Sequence, residues 1–290
     1  MSVGLTYFVD DGGVGWIVFD APGSSVNIFD ADTQAAFASA ITAMTSRSLK
    51  ALILTSAKER IFSAGADLRW LGSLPDASTA ENFSRVGQAL FQRVASFPVP
   101  VVGAIHGACA GGGLELALAC HWRIASDAPA TRIGLPELEL GTIPGWGGSA
   151  RLPRLIGAMP ALEHILNAQL LPSAIALKTG IVDELASPDE LKARARAIAL
   201  QLGSTGKPTR PELSAPAKSF FDELRACERS GELWSVRSKL IDVVQLGLGL
   251  PLGDALDIEA RAFGEVTAGA ACKDRVRAFF LRRRPLRTGR

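Results

Sequence analysis

Residues 103–151 read GAIHGACAGGGLELALACHWRIASDAPATRIGLPELELGTIPGWGGSAR, and the parsing of this stretch decides the fold. Its apolar, strand-like opening runs into Gly111-Gly112-Gly113. These glycines lead into Leu114-Glu115-Leu116-Ala117-Leu118-Ala119, strong helix formers that carry one carboxylate. A second glycine-rich helix start, Gly145-Trp146-Gly147-Gly148, comes shortly after another carboxylate, Glu137, in Leu135-Pro136-Glu137. Two readings fit Glu115. It is either a first-turn glutamate stabilised by the helix dipole, with the glycines letting strand and helix pack closely, or one of a pair of chemically active carboxylates.

Working outward, strands and helices alternate on both sides of this stretch. Leu5 to Val9, Asp10-Asp11-Gly12-Gly13 and Val14 to Phe19 read as a β-hairpin, its turn rich in residues that tolerate positive φ. Apolar residues at helical spacing predict a helix from Asp30 to Met44, a strand follows at Ala51 to Leu54, and Glu81 to Phe97 is helical by period. Pro98-Val99-Pro100 closes that helix before a buried strand, Val101 to Ile105. Beyond the opening stretch, helical segments are expected at Pro160 to Leu170 and Ser173 to Thr179. From about Ser187 nearly everything reads as helix, with breaks at Gly203 to Pro211 and Gly247 to Gly253. The fold class is therefore α/β, with residues 1–186 as an α/β core and 187–290 as a helical C-terminal region.

A chain of 290 residues, 48% apolar and 21% charged, buries a substantial core. No apolar run reaches bilayer-spanning length, and Met1 to Thr6 has no basic, apolar leader pattern, so no membrane partner and a cytoplasmic location are expected. The four cysteines show no CxxC spacing, and His106, His121 and His164 are dispersed, so no metal is expected; Cys109 and Cys120 read as core residues. The formal charge of +2 hides five arginines between Arg282 and Arg290, which leave the rest of the chain net acidic. A nucleic-acid surface would mark the folded body rather than the tail, so no nucleic-acid partner is expected.

Three motifs resemble the crotonase superfamily, and within it the enoyl-CoA hydratases: Phe62-Ser63-Ala64-Gly65-Ala66-Asp67-Leu68, then His106 through Ala117, then Leu135-Pro136-Glu137 through Gly145. Arg151-Leu152-Pro153-Arg154 extends the match. The segments Gly247 to Pro251 and Glu259 to Glu265 look similar to the region that follows the hydratase domain in multifunctional fatty-acid β-oxidation proteins. No nicotinamide fingerprint, Gly-x-Gly-x-x-Gly after a strand, accompanies them, so dehydrogenase activity is not carried over. The resemblance implies a spiral of ββα units with a helical C-terminal extension. It also implies an acyl-CoA thioester substrate, with coenzyme A as part of that substrate and no separate cofactor, and a homo-oligomer, trimer or hexamer.

On matching positions, the resemblance implies an oxyanion hole built from the Ala66 and Gly112 N–H groups. It makes Glu115 the holder of the water and Glu137 the source of the proton. A glycine at a helix start suits the first role independently, since amides there are unsatisfied and the dipole favours negative charge. Glu139 is a competitor for Glu137, because in an extended segment the two would share a face. Substrate contacts are expected at Ala64, Asp67 and Leu68, Asp67 being either an organiser of the loop or a solvated aspartate. Lys58 and Arg60 either meet the phosphates of the nucleotide or pair at the surface with Glu59, and Trp146 either lines the acyl pocket or is an ordinary core residue. Trp70 and Phe91 read as packing. The expected activity is hydration of a trans-2-enoyl-CoA in fatty-acid β-oxidation. The alternatives are a Δ3-Δ2-enoyl-CoA isomerase or, in a different class, a non-catalytic RNA-associated or scaffold member of the fold.

Overall fold

Asp10 organises the first turn. Its carboxylate accepts hydrogen bonds from the Gly12 and Val14 amides and the Trp16 indole, and Arg196 pairs with it, so β1 (Leu5–Val9) folds antiparallel on β2 (Val14–Phe19). The structure is a computed structural model that describes residues 4–209, 216–227 and 231–282. The basic tail beyond Arg282 and the end of the expected break at Pro211 lie outside the described residues.

Capping aspartates set the next helices. Asp30 accepts from the Thr33 amide ahead of α1 (Ala31–Thr45), as the spacing predicts. After β3 (Ala51–Ser56), β4 (Ile61–Ser63) and the single turn α2 (Leu68–Leu71) comes α3 (Ala77–Ala95). It starts at Ala77 rather than Glu81 because Asp76 caps it by accepting from the Thr79 amide. The decisive stretch folds as β5 (Val101–Ile105), β6 (Ala108–Ala110), α4 (Gly112–Ala119), β7 (Trp122–Ser126), β8 (Arg132–Gly134), a 3-10 turn at Glu137–Leu140, and α5 (Gly148–Ile156). Then follow α6 (Ala158–Asn167), β9 (Leu171–Pro172), α7 (Ser173–Lys178) and β10 (Glu184–Ala186). Here α6 stops short of Leu170 because Ala168 takes a left-handed conformation. The C-terminal region is helical as expected: α8 (Leu191–Thr205), α9 (Lys218–Cys227), α10 (Trp234–Leu248), α11 (Leu252–Thr267) and α12 (Ala270–Arg282).

Two sheets result, with strand orders β1-β2-β3-β5-β7-β10 and β4-β6-β8-β9. The pairs β3/β4, β5/β6 and β7/β8 each send their first strand to the larger sheet and their second to the smaller, in parallel register. That repeat is the expected spiral of ββα units. The larger sheet is buried on both faces. Val14, Trp16, Ala51, Ile53, Val102 and Ala104 point to one face, where Ala195, Ile198 and Ala199 of α8 cover them. Ile17, Phe19, Leu52, Leu54, Val101 and Ile105 point into the main core, which runs on through Leu240, Val244, Phe263 and Val276 of α10, α11 and α12. The residue 186/187 boundary ends a strand, but the helices beyond it share both cores. The buried Arg123 pairs with the half-buried Asp183 at 2.7 Å beside the β7–β10 junction. Cys109 and Cys120 are core residues, free and buried.

Candidate active site

The loop after β4 is pinned from the side. Ala64 donates to the Asn27 carbonyl at 2.9 Å and Phe29 donates to the Gly65 carbonyl at 2.8 Å, while the buried Asn27 amide donates to the Phe62 carbonyl at 3.1 Å. Phe29 also forms an isolated parallel bridge with Ala66. Gly65, at φ +82°, then passes so close to the start of α4 that a Cβ there would lie 2.6 Å from the Gly112 nitrogen. Only glycine permits that approach. Ala66 and Gly112 thus come together from separate units, and Gly112, as the first residue of α4, has an amide with no acceptor inside the helix. Asp67 caps α2 by accepting from the Arg69 amide at 2.9 Å and pairs with the Arg69 side chain at 2.9 Å, so it orders the loop end.

Ala66 and Gly112 border a cleft of about 660 Å³ into which Glu115 and Glu137 also open, with Phe83 and Phe263 among its apolar walls. Of the other expected contact residues, Ala64, Asp67, Leu68 and Trp146 line this cleft. Trp146 does so while only 2% exposed: it is packed among Phe29, Phe83 and Phe91, with ring centroids 5.3–6.0 Å away, so it is a core residue with one edge on the cleft. Phe91 is fully buried, and Trp70 packs edge-on against Phe83 at 4.7 Å. Lys58 and Arg60 stand apart from the cleft. Lys58 pairs with Asp20 at 2.6 Å, not with Glu59, and donates to the Ala21 carbonyl, while Arg60 is exposed.

Glu115 sits in the first turn of α4 and is 2% exposed. Its Oε1 accepts from the Trp146 amide at 2.6 Å and the Gly148 amide at 2.8 Å, so it reaches across to the N-terminus of α5. Glu137 arrives differently. The Gly111 amide donates to the Gly134 carbonyl at 2.9 Å, which sets the α4 start beside the end of β8 and the turn that follows. A Cβ at Gly111, whose φ is +54°, would lie 2.8 Å from Glu137 Oε1. Glu137 Oε2 is buried with no hydrogen-bond partner. The segment holding it is a 3-10 turn rather than extended, which corrects the expected sharing of a face with Glu139. At three residues per turn, positions two apart point in different directions, and Glu139 is exposed at the rim of the cleft.

A third carboxylate, which the motifs do not single out, completes the arrangement. Glu259 of α11 is fully buried. Its Oε1 accepts from the Gly147 amide at 2.6 Å and Gln88 Nε2 at 3.0 Å, and its Oε2 from the Ser149 and Ala150 amides at 2.8 and 3.2 Å. Burial raises all three acids. Glu115 is pushed well above the usual carboxylate range by burial and then by Glu137 and Glu259, against the pull of the Gly148 and Trp146 amides. Burial, opposed by its own amide and reinforced by Glu259, lifts Glu137 to about 8. Glu259 rises to about 7, again by burial, with Gln88 and the α5 amides opposing. Like charges in one low-dielectric site resist joint ionisation, so the protons belong to the group.

Known proteins with this pattern bear on the chemistry. The family described as enoyl-CoA hydratase/isomerase matches residues 10–217. The fatty acid oxidation complex subunit alpha of Vibrio vulnificus (strain CMCP6) is 37% identical over 286 residues, covering 94% of this chain. The chain spans 40% of that relative's length. An enoyl-CoA hydratase from Bacillus anthracis superposes with a TM-score of 0.65 at 25% identity, covering 99% of this chain and 100% of its own. One from Mycobacterium avium subsp. paratuberculosis K-10, with a TM-score of 0.70 over the full length of both chains at 23% identity, matches in fold. With the family pattern spread over most of its length, the chain belongs to the enoyl-CoA hydratase/isomerase family of the crotonase superfamily.

Proposed function

We propose that the protein hydrates trans-2-enoyl-CoA thioesters to 3-hydroxyacyl-CoA, as a step of fatty-acid oxidation. The observation that carries this is the convergence of two carboxylates, the buried Glu115 and the half-buried Glu137, whose Oε2 is closed off from solvent, on one cleft beside the Ala66 and Gly112 backbone. The resemblance to a fatty acid oxidation complex subunit supports the choice of pathway.

The thioester oxygen lies against the Ala66 and Gly112 amides, and attack at C3 moves the C2=C3 electron pair onto that oxygen as an enolate. Preorganised donors act where charge develops, and each is worth roughly 3–4 kcal/mol by mutational precedent. Water supplies the C3–O bond and gives its proton to Glu115. Glu137 gives its proton to C2, the enolate collapses to the thioester, and the pair is reset when Glu115 releases the proton it gained to solvent and Glu137 takes one up. Burial raises both acids, so only one of the pair ionises, and the hydrogen-bond partners assign which. Two amides favour the charged form of Glu115, whereas Glu137 Oε2 has no donor and keeps its proton near neutrality. An isomerase, moving one proton between C4 and C2, needs a single carboxylate; the second acid on the cleft favours hydration.

The test is the decay of the conjugated enoyl absorbance of crotonyl-CoA and longer homologues. Wild type turns over, and Glu115→Gln and Glu137→Gln each slow turnover by at least about 10²-fold, the scale of a lost acid–base group. Near-full activity in both variants would overturn the assignment. Turnover of 3-enoyl-CoA with none of 2-enoyl-CoA would establish the isomerase instead.

A further inference from the structure

Glu259 has no step in the reaction above, yet it takes up the donors on which the site is built. A buried carboxylate is tolerated only where hydrogen bonds replace its water. The amides at the start of α5 supply them, and two acids divide those amides. Trp146 and Gly148 donate to Glu115, whereas Gly147, Ser149 and Ala150 donate to Glu259. The two carboxylates are therefore interleaved along one strip of backbone. A helix N-terminus carries orphan amides and a favourable dipole, and here both are spent on the pair.

We propose that Glu259 is a positioning residue for the active site: by holding Gly147, Ser149 and Ala150 it fixes the strip of backbone from which Glu115 hangs, and its charge governs how readily Glu115 and Glu137 release their protons. Glu259 itself stands outside the cleft lining, so it acts through Glu115 rather than on the substrate. Its effect on both partners agrees with this, since its charge is among the causes that raise Glu115 and Glu137.

The other charged groups around the cluster are accounted for by element. Helix α5 contributes Arg151, which is 8% exposed and donates to Gln92 at 2.8 Å, and Arg154, which donates to the Gly247 carbonyl in the last turn of α10 and the Leu250 carbonyl beyond it. Burial depresses both guanidinium groups, and the charge of Glu259 raises them. Helix α3 contributes the neutral Gln88 and, at the rim, Glu81 and Arg85, the latter paired with Glu81 and Asp257. Lys239 of α10 pairs with Glu265 of α11, Arg275 of α12 pairs with Glu232 just before α10, both pairs being partly exposed, and the 3-10 turn carries the exposed Glu139.

The test compares wild type, Glu259→Gln and Gln88→Met in the full chain. In Glu259→Gln one negative charge is gone, so Glu115 and Glu137 hold their protons less tightly. The pH profile of kcat for enoyl-CoA hydration then moves to lower pH by about one unit, the scale set by a like-charged neighbour, and kcat falls while KM stays within about threefold. Gln88→Met removes a donor from Glu259 and leaves the α5 amides in place. Glu259 is then protonated more often near neutrality, and the profile moves the same way by less. Carbon-13 NMR of labelled glutamates reads the same shift in the free protein, independently of turnover. The proposal depends on the hydratase reading only for the kinetic arm: an inactive wild type defeats that reading, and the NMR titration still decides the role of Glu259. Unmoved titrations of Glu115 and Glu137 in a folded Glu259→Gln, or in Gln88→Met should the former not fold, would overturn it. So would a loss of activity that tracks the folded fraction with an unchanged pH profile.

Discussion

Glu137→Gln separates the function of this acid from its cost to the fold. In the folded chain burial lifts Glu137 from 4.5 to about 8. Between those values the folded state binds a proton that the unfolded state has released, so stability falls as pH rises. The contribution is complete below about pH 4.5, declines through the window and is gone above about pH 8. At 1.36 kcal/mol per unit, the displacement is worth at most about 5 kcal/mol. Glutamine keeps the shape and cannot ionise, so it escapes this penalty. Urea unfolding of wild type and Glu137→Gln at several pH values between about 5 and 9 tests the claim. The variant gains stability over wild type as pH rises, by at least about 2 kcal/mol across the range, while losing turnover. A stability difference independent of pH would mean that Glu137 is ionised throughout and is not the proton donor.

Other perturbations probe the frame around the pair. Gly111→Ala places a Cβ 2.8 Å from Glu137 Oε1 at a φ of +54°; it costs about 1–3 kcal/mol in urea unfolding and lowers kcat at least about tenfold, and a wild-type kcat would show that Glu137 is not pinned there. Asp183→Ala removes the carboxylate that pairs with the buried Arg123 guanidinium, leaving its charge with neutral carbonyl acceptors such as Cys120, and destabilises by about 3–5 kcal/mol in thermal or urea melts; a loss below about 1 kcal/mol would contradict the pairing as described. A chain cut after Ala186 loses α8 from one face of the larger sheet and α11 from the α5 amides, so it binds a hydrophobic dye and shows no cooperative melt. A cooperative, active fragment would refute the shared core.

Local chemistry made most of the fold legible. The hairpin ends are matched to the residue because Asp10 and the glycines fix a short turn between alternating strands. Where boundaries moved, a cap or a backbone irregularity moved them: Asp76 draws α3 back to Ala77, and left-handed Ala168 stops α6. The 3-10 turn at Glu137 was not legible, because a proline followed by alternating glutamate and leucine fits an extended segment equally well. The distribution of strands between two sheets also escapes local pattern. It depends on pairings between units, such as β4 with β6, that are distant in sequence.

The site divides along the same line. Glycines at 65, 111 and 112 are readable because close approach demands them, of backbone at Gly65 and of the Glu137 and Trp146 side chains at Gly111 and Gly112, and Glu115 and Glu137 stand in the motifs that hold these glycines or lie against them. Asn27 and Glu259 serve the same backbone from outside the motifs, through contacts with no sequence proximity. For Glu259 one signal existed. On α11 the buried positions Ala255, Leu256, Ala260, Ala262 and Phe263 form an apolar stripe, and Glu259 lies inside it, whereas Glu265 of the same helix reaches solvent and pairs with Lys239. An acid on the buried side of an amphipathic helix must find donors, and a helix buried against its neighbours offers few. The free amides of another helix start are what remains, and Gly145-Trp146-Gly147-Gly148 supplies such a start. The carboxylate out of place in one helix and the glycine-rich start of another are two halves of one contact, each unexplained until the other is set beside it.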